Sequence, residues 1–147
     1  MGAVGKKLRR AVGTWEGKPH VRLMHWCPGC NEPHGITIEG GPPSWIFNGD
    51  YDRPSFSPSV LCFTTHTLDD DDKPLPAPVR ETLCHYFIKT GAELKTGAEL
   101  AGRAQNLDPT KSYIDFCGDS PHALSGKIVE LPDWPYAPGS YGGIEDG

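Results

Sequence analysis

The sequence predicts a small, mostly β domain of antiparallel strands, with short helical turns in its loops. Three observations carry this. Glycine (18) and proline (15) together exceed a fifth of the 147 residues, a density of turn-formers at odds with a helical bundle. Short runs rich in branched and aromatic residues, such as "SVLCFTT" (59–65), are bounded by turn clusters. Only 37% of the chain is hydrophobic, so the core is thin and would gain from a staple. The length fits one domain.

Taken in order, residues 1–19 read as a flexible basic arm, because "GKKLRR" places four positive charges within residues 5–10. The domain proper is expected over 20–132. "VRLMHW" (21–26) alternates and predicts a strand; "GITIE" (35–39) predicts its partner, with Cys27 to His34 at the hairpin tip. "WIFN" (45–48) is a short third strand, and "SVLCFTT" a fourth. Residues 68–78, "LDDDDKPLPAP", read as an exposed acidic loop: adjacent carboxylates repel and the prolines remove donors. An EF-hand would need alternating carboxylates and a central glycine.

"LCHYFIK" (83–89) resumes the sheet. The direct repeat "KTGAEL", at 89–94 and 95–100, opens an insertion over 89–111 with some helical tendency. "SYIDFC" (112–117) and "KIVEL" (127–131) are the last strands, joined by the turn "GDSPHALSG"; residues 133–147 read as a flexible tail.

The composition also excludes classes of function. A net charge of −5 gives no general reason to expect nucleic acid. No apolar run approaches the roughly 20 residues that cross a bilayer, and no apolar stretch follows the basic N-terminus as in a signal peptide. A cytoplasmic protein is expected. Five cysteines (27, 30, 62, 84, 117) in a reducing compartment point to metal ligation or catalysis rather than disulfides.

"HWCPGCNEPH" (25–34) supplies the metal signal. Two thiolates on a Pro-Gly turn make half of a tetrahedral zinc site. The thioredoxin C-x-x-C would open a helix, whereas this one lies between strands. Cys27, Cys30, Cys84 and His34 are the expected ligands of a structural Zn2+, with His122 as the alternative to His34. Cys62, mid-strand among apolar residues, reads as core, and Cys117 as a weaker ligand. Neighbours on a strand face opposite sides, so His85 projects away from the face that Cys84 occupies.

That leaves His85 free for chemistry. Ser59, at the start of its strand, is the candidate nucleophile and His85 the base, with Asp119 or His122 to orient it. Ser120 is an alternative nucleophile. Zinc hydrolysis with an open site, using His85, His122 and water, is a further reading. Trp26, Trp45 and Phe56 suit core packing better than a contact patch.

"HWCPGC…PHGI", "WIFNGD…PSFSPSVL", "CHYFI" and "GDSPHALSGKIVELP" together resemble a family of small Cys/His proteins found largely in phage and prophage genomes, sometimes labelled ammonia monooxygenase. The resemblance covers about residues 21–132. The chain has no membrane span or evident copper site to suit that label. Similar proteins occur in bacterial operons encoding ubiquitin-like conjugation machinery, where they are regarded as peptidases. By motif position the knuckle falls on Cys27 and Cys30, the metal-side cysteine near Cys84, the strand serine on Ser59 and the histidine on His85. Phage members carry Cys or Ser at the position of Ser120, which leaves Ser59 and Ser120 both open. The resemblance implies a zinc-stabilised, serine-type peptidase acting on ubiquitin-like protein conjugates. The alternative is a non-catalytic zinc-binding module that binds a host or virion protein.

Overall fold

Alternation decides the first sheet. In the strand Lys18–Cys27, the side chains of Val21, Leu23, His25 and Cys27 turn inward while their neighbours face out. This strand is β3 of the computed structural model, which describes residues 2–96 and 106–137. Before it come β1 (Gly2–Val4) and β2 (Leu8–Trp15); after it comes β4 (Glu32–Glu39). The four form an antiparallel sheet in chain order, and its register sets His25 opposite His34.

Two short strands, β5 (Ile46–Phe47) and β6 (Phe56–Ser57), pair with each other. The second large sheet follows. Its strands are β7 (Val60–Leu68), β8 (Pro74–Thr90), β9 (Ser112–Phe116) and β10 (Ile128–Glu130), in the spatial order β10-β9-β8-β7, all antiparallel. One core joins the two sheets. Leu8, Leu23, Cys27 and Ile36 from the first meet Val60, Cys84, Tyr86, Ile88, Ile114 and Phe116 from the second. Burial of that apolar surface is the main stabilising term.

The one helix among the described residues, α1 (Gly91–Thr96), leaves β8 through a reciprocal cap. The Glu93 N–H donates to Thr90 Oγ1 at 3.1 Å, and the Thr90 N–H donates to Glu93 Oε1 at 3.0 Å. Leu94 of α1 covers Tyr113, so β9 is buried on both faces. The helix takes up most of the first "KTGAEL" copy; the rest of the insertion, 97–105, lies outside the described residues. No helix among the described residues is long and apolar enough to cross a membrane.

Three expectations need correction. The basic stretch is not a loose arm: residues 2–15 supply β1 and β2, and Leu8 sits fully buried in the core. Its charges have work to do inside the fold. Lys7 Nζ donates to the Leu131 carbonyl at 2.6 Å and to Asp133 at 3.0 Å, and Arg9 lies over the Trp134 ring. The tail is accordingly held as far as Tyr136, whose carbonyl accepts from Arg9; 138–147 lie outside the described residues. The acidic segment is a loop only between Leu68 and Pro74. Beyond it, Pro74, Pro76 and Pro78 lie within β8, at alternate positions. There β8 has β7 on one side, and β9 joins the other side only from Tyr86 onward. A residue turned toward an unpaired edge needs no N–H, so the prolines are tolerated.

Trp134 is 5% exposed, meets Trp26 edge-on at 5.8 Å and donates its backbone N–H to the Lys6 carbonyl at 2.9 Å. Replacing Trp134 by Ala is expected to cost about 3–5 kcal/mol of stability, read as a lowered urea midpoint. A truly loose tail would leave the midpoint unchanged.

Candidate active site and thiol cluster

Strand β8 presents two chemistries from adjacent residues. Cys84 is fully buried and faces the core, whereas His85 faces outward.

On the inner side, the β3–β4 turn brings Cys27 and Cys30 to β8. Ligand atoms of Cys27, Cys30, His34 and Cys84 all lie within 4.8 Å of one another. The Cys27 and Cys84 sulfurs are 3.9 Å apart. Two sulfurs bound at about 2.3 Å to one tetrahedral ion would be about 3.8 Å apart. The Cys84 thiol beside it holds Cys27 far below the ordinary thiol range, at about 3, and the same contact pushes Cys84 up. Three sulfurs and an imidazole gathered this closely are a donor set that suits a cation. His34 Nε2 is buried without a hydrogen-bond partner. These residues could hold a metal ion, and their donor set suits zinc.

His122 is close by, with Nε2 3.4 Å from Cys84 Sγ. Its Nδ1 accepts the Leu124 N–H at 3.2 Å, which leaves the proton on Nε2, directed at the sulfur. In that tautomer His122 donates to Cys84 rather than ligating beside it, and the geometry favours His34 as the fourth ligand. Gly29 makes the approach possible: a Cβ there would fall 2.3 Å from the His122 ring. Cys62 packs against the core cluster.

On the outer side, Ser59 Oγ lies 3.1 Å from His85 Nε2. His85 Nδ1 lies 3.0 and 3.1 Å from the two Asp119 carboxylate oxygens. A carboxylate can only accept, so Nδ1 carries the proton and Nε2 is left to accept from the serine hydroxyl. Of the two residues expected to orient His85, Asp119 is in place and His122 is not. Bonded to Cys84, His122 belongs to the opposite face of β8, which also leaves no His85–His122 pair for an open zinc site. Cys117 does lie within 4.8 Å of His85 and Asp119, but both imidazole nitrogens of His85 already have partners.

Two supporting roles had no sequence signal beyond the residue type. Ser120 is 4% exposed; its hydroxyl donates to the His85 carbonyl at 2.7 Å and accepts the His85 N–H at 2.9 Å. It continues the ladder where β9 has ended, with Cys117 N–H donating to the same carbonyl at 2.9 Å. A hydroxyl so engaged is poorly placed to attack a substrate. Trp45, partly buried against the core, donates its indole N–H to the Ser59 carbonyl at 3.1 Å and fixes the serine backbone. Phe56 is buried, and Trp26 packs against Trp134, so all three aromatic residues serve packing.

The fold and site define a β protein built on two four-stranded sheets, with a Ser–His–Asp row outside and a thiol–imidazole cluster inside. Residues 7–93, more than half of the chain, match the family described as bacterial ubiquitination-like system serine protease (BubE), and the chain belongs to this family. Comparison with curated proteins and with solved structures found no match. The matched stretch includes Ser59, His85 and all four cluster residues; Asp119, Ser120 and His122 lie beyond it. The family description points to a serine protease and, with it, to protein partners.

Ser120→Ala removes both bonds to the His85 backbone. The expected cost is about 1–3 kcal/mol, with faster hydrogen exchange at the His85 amide. Unchanged exchange there would show that the hydroxyl holds nothing.

Proposed function

We propose that the protein is a zinc-stabilised serine peptidase that cleaves ubiquitin-like protein conjugates or precursors. The single observation that carries this reading is the row Ser59–His85–Asp119, with 3.1 Å between the serine oxygen and Nε2 and 3.0 Å between Nδ1 and the carboxylate. The family description supports the reaction class and the ubiquitination-like setting.

In this reading Ser59 Oγ attacks the scissile carbonyl as its proton passes to His85 Nε2. Backbone N–H groups beside Ser59 stabilise the oxyanion. The C–N bond then breaks, and His85 gives its proton to the leaving amine. Water, deprotonated by His85 in turn, hydrolyses the acyl-serine and restores the hydroxyl. Asp119 holds the imidazole in the required tautomer and faces the charge it acquires. Cys27, Cys30, Cys84 and His34 would hold the zinc ion, which supplies a structural tie between the β3–β4 turn and β8. Such a set of three thiolates and one imidazole would make a closed structural site.

Cleavage of a ubiquitin-like fusion is expected to fall at least about a thousandfold in Ser59→Ala and His85→Ala, and about a hundredfold or more in Asp119→Asn. A fluorophosphonate should label the wild type and not Ser59→Ala. Equal cleavage by wild type and Ser59→Ala would remove the mechanism.

The metal has its own test. Mass spectrometry of the native protein should find one zinc per chain, and Cys84→Ala should lose it. Chelation should lower the melting temperature by several degrees or unfold the protein. A stable, metal-free preparation would refute the staple.

A further inference from the structure

A cavity of about 720 Å³ lies beside the triad and takes no part in the proton path. Its apolar walls are Phe87, Leu94 and Cys117, and Lys89, Glu93 and Asp115 supply its polar groups. It opens on the face of β8 that carries His85, since Phe87 stands two residues further along the strand. The register that pairs Val60 with Tyr86 puts Phe87 next to Ser59. At the other strand, lining residues Cys117 and Gly118 lead directly into Asp119. Ser59, His85 and Asp119 do not line the cavity; its lining adjoins them along β8 and at the end of β9.

The lining says what would fit. Lys89 opposes the carboxylates of Glu93 and Asp115, so the cavity has no single sign of charge with which to select an ionic group. The Glu93 carboxylate is also committed to the helix cap and to Ser55, whose hydroxyl donates to it at 3.1 Å. What remains is apolar surface on two rigid supports. Phe87 rises from the sheet, and Leu94 comes from a helix held by its cap. The volume exceeds a single side chain and lies within the range of ligand pockets.

We propose that this cavity binds the extended peptide segment next to the scissile bond and takes one aliphatic or aromatic side chain between Phe87 and Leu94. The proposal rests on the peptidase reading for its purpose, but binding can be tested without turnover.

The test uses Ser59→Ala protein and acetylated, amidated hexapeptides, either all glycine or with one Leu or Phe. Binding is followed by amide NMR shifts. Leu or Phe peptides are expected to bind at least about tenfold more tightly than the glycine peptide, with shifts centred on Phe87, Cys117 and Gly118. Leu94→Trp fills the space and should abolish that preference. Phe87→Ala widens it and should move the preference toward bulkier side chains, so one foldable variant suffices. Shifts centred elsewhere, equal affinity for all peptides, or a preference that is unchanged from the parent in either folded variant would overturn the proposal. Fluorophosphonate labelling of the wild type is read alongside. Labelling without side-chain preference overturns the cavity and leaves the nucleophile standing; preference without labelling does the reverse.

Discussion

Successive side chains of a strand point to opposite faces, and at Cys84–His85 that rule is the constraint on which the rest depends. The sulfur goes to the core, where Cys27 and Cys30 meet it. The imidazole goes to the surface, where Ser59 and Asp119 meet it. Slipping the strand by one residue would exchange the two and destroy both. The partners of β8 resist such a slip: β7 pairs Val60 with Tyr86, β9 pairs Phe116 with Tyr86, and Tyr86 is fully buried between them.

The turn after β9 straddles this strand. Asp119 reaches the outer face and His122 the inner one, with Ser120 between them bonded to the His85 backbone. The inner cluster and the outer row are thus joined through one short loop as well as one strand. A metal tie on one side would limit motion of the base on the other.

Much of this was legible in the sequence, for local reasons. The C-x-x-C on a Pro-Gly turn, the alternation through "VRLMHW" and the adjacency of Cys84 and His85 are all features of single segments. Ser59 and His85 were readable because each begins or crosses a strong β run. The N-terminal strands were hidden by their charge: Lys7 and Arg9 looked like solvated groups, and the carbonyls and indole that receive them lie more than a hundred residues away. His122 and Asp119 could not be told apart by spacing, because a nine-residue turn can send either side chain to either face. Trp45 and Ser120 act through backbone atoms of other residues, and such bonds leave no pattern in residue types.

The three prolines at the start of β8 have an effect on how molecules meet. A long hairpin with a bare margin invites the same margin of a neighbouring copy, and the pair can grow into a fibre. Rings at alternate positions remove the donors such docking would use. Val79 and Leu83, exposed along that hairpin, therefore lie on a strand that is kept from pairing with its own copy.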